Sequence, residues 1–401
     1  MNIDTCFARE TVDSRERPTV EVELARGDAV AKASVPSGKS TGSHEARELR
    51  DEDGRGVTRA IAAVDGEISS MLVGREWSSP EEVDAALIAL DGTSDKGRLG
   101  SNSMLGVSMA VWRLFAMEEG VELWRYLADK TGYTPRMPRL FSNVINGGVH
   151  ANMRLPFQEY MLIAAADTAH ESFDELYKLF TDLRHTLEQE TRVMVPMGDE
   201  GGYSPTFDTI DKPFEILSEL IKGHPHFSLA IDAAASELFR DGAYHLIGKT
   251  YSRDELLMVY RGLAARYPLA SLEDPFAEDD SQGFAAITEA LGKARLVVGD
   301  DLTVTNKMRI QSAIEGKLAN ALLVKPNQIG TISETLDAIK LAREARWEII
   351  VSHRSGETKD TFIADLAYGI GAYGLKAGGL TQQERLEKYE RLIEIERQIS
   401  R

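Results

Sequence analysis

The sequence is poor in cysteine, in long apolar runs and in positive charge. Cys6 is the only cysteine among 401 residues, so no disulfide can form within the chain, which is typical of a reducing compartment. No run of about 18 uncharged apolar residues occurs, and residues 1–10 lack the basic and apolar regions of a signal peptide. We therefore expect no membrane span and a cytoplasmic protein.

Basic residues are outnumbered by acidic ones. The chain has 46 Lys and Arg against 64 Asp and Glu, a formal net charge of −18. Such a charge repels a phosphate backbone, and no basic patch interrupts it in the sequence, so we expect no nucleic-acid partner. Hydrophobic residues at 43% and charged residues at 27% are typical of a folded domain and exclude a disordered chain.

The chain carries two kinds of pattern, one after the other. From Val20 to Val35 apolar and polar residues alternate around a turn at Gly27, which predicts two antiparallel strands. Helical patterns then dominate from about Glu45 to Leu127. We predict a small α+β domain over residues 1–133 and a second, α/β domain over residues 134–401.

The second domain repeats short apolar runs that end in ionisable residues, with helical segments between them. This alternation predicts the parallel strands of an α/β barrel. In such barrels the catalytic groups lie at the C-terminal ends of the strands. The ionisable residues at the ends of these runs are Asp232, Glu273, Asp300 with Asp301, Lys325, His353 and Lys376.

Three of these strand ends supply carboxylates, and we select Asp232, Glu273 and Asp301. Converging carboxylates repel one another, so a cation is needed to hold them together. Oxygen ligands suit Mg²⁺ better than zinc, and the lone cysteine and scattered histidines offer no zinc spacing. The pattern predicts a magnesium site, with ordinary salt bridges as the alternative.

Further residues fit acid–base chemistry and anion binding. A cation beside Lys325 should lower the pKa of its ammonium group and make it a general base, although a structural ion pair is the alternative. Glu200, in the glycine-containing segment Met197–Tyr203, could protonate a leaving group opposite that lysine. The segment Ser352–Glu357 offers an arginine, a hydroxyl and an imidazole for a phosphate or carboxylate. The loop Ser37–Gly42 lacks the spacing of a nucleotide P-loop.

Taken in order, these motifs resemble the enolase family over nearly the whole chain. The resemblance implies an α+β cap domain followed by an enolase-type (β/α)₈ barrel of modified topology. The stretches that carry it are Ala8–Glu10 with Asp13–Arg15, Val35–Gly38 with Ser40–Gly42, Leu99–Asn102 with Leu105–Ser108, Gly198–Gly202, Ser271–Pro275, Val298–Leu302, Lys325–Thr331, Val351–Thr358 and Glu384–Tyr389.

The resemblance also implies an activity, the Mg²⁺-dependent and reversible dehydration of 2-phosphoglycerate to phosphoenolpyruvate. It makes Lys325 the base at C2 and Glu200 the acid at C3, with Glu159 beside it. It implies one Mg²⁺ on Asp232, Glu273 and Asp301, and a second Mg²⁺, recruited with the substrate, on Ser40. It assigns the small phosphorylated carboxylate substrate to His150, Gln158, His353, Arg354, Ser355 and Lys376.

A few positions depart from the family pattern. Lys39 replaces a small residue in the mobile loop, and Glu16-Arg17 replaces Gly-Asn. Glu394 stands where enolases commonly carry an arginine that pairs across the dimer with the position of Glu21, so we expect a homo-oligomer in which that contact is in doubt. These departures leave open a paralogue from phosphonate antibiotic metabolism, such as a carboxyphosphonoenolpyruvate synthase. A non-catalytic binding protein is the second alternative.

Overall fold

The computed structural model describes residues 1–39, 42–151 and 155–400. The strands in these ranges are β1 (Thr5–Val12), β2 (Pro18–Arg26), β3 (Ala29–Ser34), β4 (Arg139–Asn146), β5 (Glu159–Ala164), β6 (Phe227–Asp232), β7 (Phe239–Arg240), β8 (Ala243–Leu246), β9 (Lys249–Tyr251), β10 (Leu269–Glu273), β11 (Leu296–Gly299), β12 (Ala321–Val324), β13 (Glu348–Ser352) and β14 (Gly374–Lys376).

Helices follow or separate most of these strands. In the described part of the chain they are α1 (Thr58–Ala63), α2 (Ser69–Leu72), α3 (Pro80–Asp91), α4 (Ser101–Glu118), α5 (Leu123–Thr131), α6 (Ala169–Thr191), α7 (Lys212–Leu220), α8 (Arg253–Arg266), α9 (Ser281–Leu291), α10 (Lys307–Glu315), α11 (Ile332–Glu344), α12 (Phe362–Gly369) and α13 (Gln383–Ile399). None of them is both long and apolar enough to cross a membrane.

The N-terminal strands form an antiparallel sheet in the order β1–β2–β3. The predicted strand–turn–strand is confirmed, because β2 pairs with β3 across Gly27. Helix α4 is buried on nearly every side and packs against this sheet. A Cβ atom on Gly106 of this helix would lie 2.6 Å from Cγ2 of Val22, so the close approach of helix and sheet requires glycine there.

The predicted helical region is wrong over residues 45–57, which form turns and irregular chain before α1 begins. Aspartate side chains explain the difference. Asp51 accepts hydrogen bonds from the backbone N–H groups of Thr58 and Arg59, and Asp53 accepts one from Arg55. Such local bonds compete with a helix and favour a turn followed by a capped helix start.

Eight strands close the predicted barrel, in the circular order β4–β5–β6–β10–β11–β12–β13–β14. All neighbours are parallel except that β5 runs antiparallel to both β4 and β6. Because β5 is reversed, its first residue, Glu159, lies opposite Asp232, the last residue of β6. The reversal therefore brings Glu159 to the same end of the barrel as the residues that finish the parallel strands.

Large apolar side chains fill the inside of the barrel below that end. They form a buried cluster separate from the larger core between barrel and helices, and include Phe141, Met161, Ile163, Leu323 and Ile350. The barrel is thus a packed core, and its buried acidic strand residues lie at one end, above the apolar cluster.

Candidate active site

Three carboxylates surround one buried ammonium group at the C-terminal end of the barrel. Nζ of Lys376, at the end of β14, lies 2.8 Å from Oε1 of Glu273, 3.1 Å from Oε1 of Glu159 and 3.2 Å from Oδ2 of Asp232. Burial raises the pKa of Glu159 and of Glu273 well above the ordinary value, and neighbouring carboxylates raise both further. The site thus concentrates more negative charge than the lysine neutralises.

Asp300 and Asp301 follow β11 but occupy different surroundings. Asp300 contacts Nζ of Lys325 and accepts a 2.9 Å hydrogen bond from Nε2 of Gln328. Its charge also helps to raise the pKa of Glu273. Asp301 is half-buried, and burial followed by the charge of Asp300 raises its pKa to about 8. The structure therefore directs Asp300, the neighbour of the aspartate selected from the sequence, toward the strand-end carboxylates.

The backbone around these two aspartates is held by a third. Asp274 accepts hydrogen bonds from the N–H groups of Asp300, at 2.9 Å, and of Asp301, at 2.7 Å. Carboxylate oxygens of all three lie within 4.8 Å of one another. Asp274 was absent from the predicted set, although it directly follows Glu273 in the chain.

The pKa of Lys325 differs from the prediction of a lowered value. Burial lowers it, but the adjacent Asp300 carboxylate raises it, and the net shift is upward from the ordinary lysine value. The sequence showed the position of the lysine but not the carboxylate that contacts it. Glu159 and Lys325 lie on β5 and directly after β12, which are diametrically opposite in the circular strand order.

Glu200 lies beside Glu159, with His150 next to both. Ligand atoms of the three lie within 4.8 Å of one another, and Nδ1 of His150 is 3.4 Å from Oε1 of Glu200. Asn143 donates a 3.1 Å hydrogen bond to the other oxygen of Glu200. Burial acts to raise the pKa of Glu200, but the charges of His150 and His353 outweigh it and lower that pKa well below the ordinary value. The pKa values of the two neighbouring carboxyl groups are therefore shifted in opposite directions, upward for Glu159 and downward for Glu200.

Glycines allow the Glu200 segment to approach the barrel end. Gly379 donates a 2.8 Å backbone hydrogen bond to the carbonyl of Glu200. A Cβ atom on Gly379 would lie 2.3 Å from the carbonyl oxygen of Gly201, a distance that no side chain tolerates. The close packing of these two backbones fixes the position of Glu200.

Two arginines form the cationic side of the site, Arg354 in the segment that follows β13 and Arg385, which contacts that segment. Arg354 makes a bidentate contact to Glu45, with Nη1 at 2.9 Å and Nη2 at 3.1 Å, and donates to Oδ1 of Asn327 at 2.8 Å. Arg385 contacts Nδ1 of His353 and donates to the carbonyl of Ser355 at 3.0 Å. Arg385 was missed as a site residue, although it lies in one of the stretches that carry the family resemblance.

The predicted residues therefore lie at the same end of the barrel, although Asp301 lies beside the strand-end carboxylates and not among them. Ser40 lies outside the described residues. Several polar atoms in the site lack a hydrogen-bond partner among the described residues, namely Oε2 of Glu159, Oε1 of Gln158 and Nε2 of His150. Buried polar groups are normally satisfied, so these atoms are available to a ligand. The cluster of oxygen donors fits a hard cation such as Mg²⁺.

Comparison with known proteins agrees with this geometry. Residues 3–127 match the enolase N-terminal domain, and residues 134–401 match the enolase C-terminal TIM barrel domain. The chain belongs to the enolase family. It is 44% identical to an enolase of Methanopyrus kandleri over 98% of this chain and 95% of the relative. It is 43% identical to enolases of Thermococcus gammatolerans and Thermococcus kodakarensis, over 99% of this chain and 95% of each relative.

Membership of the enolase family agrees with the closed eight-stranded barrel of the C-terminal part. It makes the protein an enzyme of the carbon–oxygen lyase type. The match spans both parts of the chain, so the assignment to the enolase family covers the N-terminal part as well as the barrel.

Proposed function

We propose that the protein catalyses the reversible dehydration of 2-phosphoglycerate to phosphoenolpyruvate with Mg²⁺. The observation that carries the proposal is the placement of Lys325 and Glu159 on opposite sides of the barrel, with acidic strand ends between them. Removal of the C2 proton and departure of the C3 hydroxyl require a base and an acid that reach the substrate from different sides.

In the proposed reaction Lys325 takes the proton from C2. Lys325 acts as a base only in its neutral form. The Asp300 carboxylate raises the pKa of Lys325 and so favours its charged form, and neutralising the charge on Asp300 would therefore increase the fraction of neutral lysine. The Glu159–Glu200 pair provides the proton that leaves with the hydroxyl as water. One proton shared between two adjacent carboxyl groups is expected, because both cannot ionise freely at this separation.

For the cation, we propose Asp232 and Glu273 together with one member of the Asp300–Asp301 pair. The sequence favoured Asp301, but the contacts of Asp300 with Lys325 and its effect on Glu273 favour Asp300. When bound there, Mg²⁺ supplies positive charge that stabilises the dianion formed by loss of the C2 proton. Ser40 remains the proposed residue for a second Mg²⁺ recruited with substrate.

The substrate's anionic groups are assigned to the cationic side. Arg354 and Ser355 provide a guanidinium and a hydroxyl for the phosphate, with His353 between them and the acid pair. Gln158 and His150 have unpartnered atoms that can donate to or accept from the substrate. Lys376 is buried among three carboxylates of the protein. A cation bound to those carboxylates would neutralise part of their charge and leave the Lys376 ammonium group free to contact the substrate carboxylate.

The paralogue alternative came from Lys39 and the altered loops, and no contact of Lys39 with the described residues favours it. The Lys39 ammonium contacts Asp199 and the carbonyl of Val149 instead of the strand-end carboxylates. The homo-oligomer stays a prediction. Glu21 and Glu394 each have an arginine partner in their own chain, Arg9 and Arg391 respectively, so neither acid depends on another subunit for charge compensation.

The test is turnover of 2-phosphoglycerate by the purified protein with and without Mg²⁺. Lys325→Ala should reduce both turnover and C2 proton exchange by about 10²- to 10⁴-fold. The matched control is Lys307→Ala, which removes an exposed lysine at the start of α10, paired with Asp337 of α11, and should leave both rates unchanged. Full C2 exchange in Lys325→Ala would overturn the assignment of the base, and no turnover in the folded wild-type protein with Mg²⁺ would overturn the proposed function.

A further inference from the structure

A cavity of about 830 Å³ lies beside the strand-end site, between the turn at residues 15–18 and the irregular segment before α1. Five arginines line it against three glutamates, although the chain as a whole carries a net charge of −18. Carboxylates pair with three of these arginines, so the excess positive charge of the cavity comes from the other two. The five are Arg15, Arg17, Arg47, Arg50 and Arg55.

The inner wall of this cavity is shared with the proposed phosphate-binding group. Glu45 and Asn327 both line the cavity, and both accept hydrogen bonds from Arg354. Nη1 of Arg15 lies 3.5 Å from Oγ of Ser355. An anion in the cavity would therefore be one layer of side chains away from the residues assigned to the substrate phosphate.

Two of the arginines, Arg15 and Arg50, donate hydrogen bonds to carboxylates of the protein, whereas the more exposed Arg17 and Arg55 do not. Arg15 donates to Asp13 from both Nε and Nη2, and Arg50 donates to Glu48 in the same way. The exposed guanidinium groups of Arg17 and Arg55 form no ion pair or hydrogen bond with the described residues. These two groups are available to an anion from solvent.

We propose that this cavity is an anion-capture site that takes up the phosphate of the incoming substrate through Arg17 and Arg55. The identity of the ligand rests on the proposed function. A phosphorylated carboxylate is repelled by the negative field of the whole chain, and a local group of arginines offsets that repulsion next to the residues assigned to the substrate phosphate. Arginine is suited to this role because its planar guanidinium matches phosphate oxygens in pairs and stays charged at every physiological pH.

The first experiment measures kcat and kcat/KM for 2-phosphoglycerate in R17Q/R55Q as a function of ionic strength. We expect kcat/KM at low salt to fall on the order of tenfold, because an electrostatic effect on capture has this size. The kcat at saturating substrate should stay within about twofold of the wild type, because neither arginine is placed at the reacting atoms. High salt should bring variant and wild type together, since screening removes the contribution that the variant lacks.

The matched control is R261Q/K293Q, which removes two positive charges from exposed residues away from the cavity. Arg261 lies on α8 in the outer helical layer, and Lys293 precedes β11 at the end of the barrel opposite the site. The control should keep its kcat/KM, and melting temperature and oligomeric state should match among all proteins. An equal loss in both double variants, or unchanged kcat/KM in R17Q/R55Q at low salt, would overturn the proposal.

A second experiment separates this proposal from the proposed function. Inorganic phosphate is titrated into the wild type and R17Q/R55Q at low ionic strength, and its binding is followed by calorimetry or by chemical shifts of arginine side chains. Binding that is lost in the variant supports the capture site even if the wild type turns over no 2-phosphoglycerate. Equal phosphate binding by both proteins overturns the capture site even if the wild type is an active enolase.

Discussion

The ammonium group of Lys325 contacts the carboxylate of Asp300, and Gln328 donates a hydrogen bond to the second oxygen of that carboxylate. This contact couples the proposed base to the proposed cation site through a single side chain. Asp301, one residue further along, is half-buried and has its pKa raised to about 8 by burial and by Asp300. Neighbouring aspartates with the same chemistry thus have different roles in the proposed site.

The first prediction concerns this pair. Asp300→Asn should reduce kcat/KM on the order of 10³-fold, because it removes both a proposed cation ligand and the partner of Lys325. Asp301→Asn should cost about 10- to 100-fold, the usual effect of a residue that supports a ligand without being one. Steady-state kinetics and Mg²⁺ titration by calorimetry provide the measurement. A larger loss in Asp301→Asn than in Asp300→Asn would restore the ligand assignment made from the sequence.

The second prediction concerns Lys376 and stability. Glu159 and Glu273 have raised pKa values in the folded protein, so their contribution to stability is present at low pH and is lost as the pH rises through those values. Lys376 opposes this loss. Lys376→Met, in a metal-free buffer, should therefore destabilise the protein by about 3–5 kcal/mol at pH 8 and by clearly less at pH 5.

Urea unfolding at the two pH values measures this effect. Lys307→Met is the control, because it removes one exposed partner of an ion pair and should change the unfolding free energy by less than about 1 kcal/mol at either pH. The proposed electrostatic role of Lys376 fails if its substitution costs as much at pH 5 as at pH 8.

The barrel and its ionisable strand ends were predictable from the sequence because they follow local rules. A short apolar run followed by an ionisable residue predicts a buried strand and its end, and Asp232, Glu273 and Lys376 all lie where that rule places them. Glu159 could not be found this way, since it begins a strand. Only the reversal of β5 brings it to the same end of the barrel, and that reversal depends on packing over the whole barrel.

The limits of sequence reasoning are clearest where one residue or one contact decides the answer. Strand β11 ends at Gly299, so the alternation of side chains along a strand does not extend to Asp300 and Asp301. The sequence therefore identified the two aspartates but did not show that Asp300 is the one directed toward the other strand-end residues. The pKa direction of Lys325 likewise depends on a carboxylate contact that no spacing reveals.

The third prediction concerns Gly379, whose backbone N–H donates a hydrogen bond to the carbonyl of Glu200. Gly379→Ala should shift that segment, since its Cβ atom would lie 2.3 Å from the carbonyl oxygen of Gly201. We expect kcat to fall about 100-fold, the effect of displacing a catalytic group by roughly 1 Å. Gly66→Ala is the matched control, because no atom lies within 4 Å of the added carbon and the residue is exposed. Kinetics and thermal unfolding of both variants test this, and wild-type kcat in Gly379→Ala would contradict it.

The fourth prediction concerns Lys39, which lies next to the acid side of the site without entering it. Its ammonium donates to the carbonyl of Val149 at 3.0 Å and contacts the carboxylate of Asp199. Those two residues directly precede His150 and Glu200, and the backbone N–H of Asp199 donates to the carbonyl of His150. Lys39 therefore joins the loop before residue 40 to both segments that carry the acid-side groups, and we predict that it positions them.

A double-mutant cycle tests this positioning role. Because both side chains are more than a third exposed, Lys39→Met and Asp199→Asn should each change the unfolding free energy by less than about 1 kcal/mol. Each should nevertheless lower kcat by about three- to tenfold, since small displacements of an acid group are costly in rate. If the two residues act through one contact, the double variant loses no more than the more damaging single variant. Multiplicative losses would show that Lys39 and Asp199 act separately, and an unchanged kcat in Lys39→Met would show that the contact has no part in positioning Glu200.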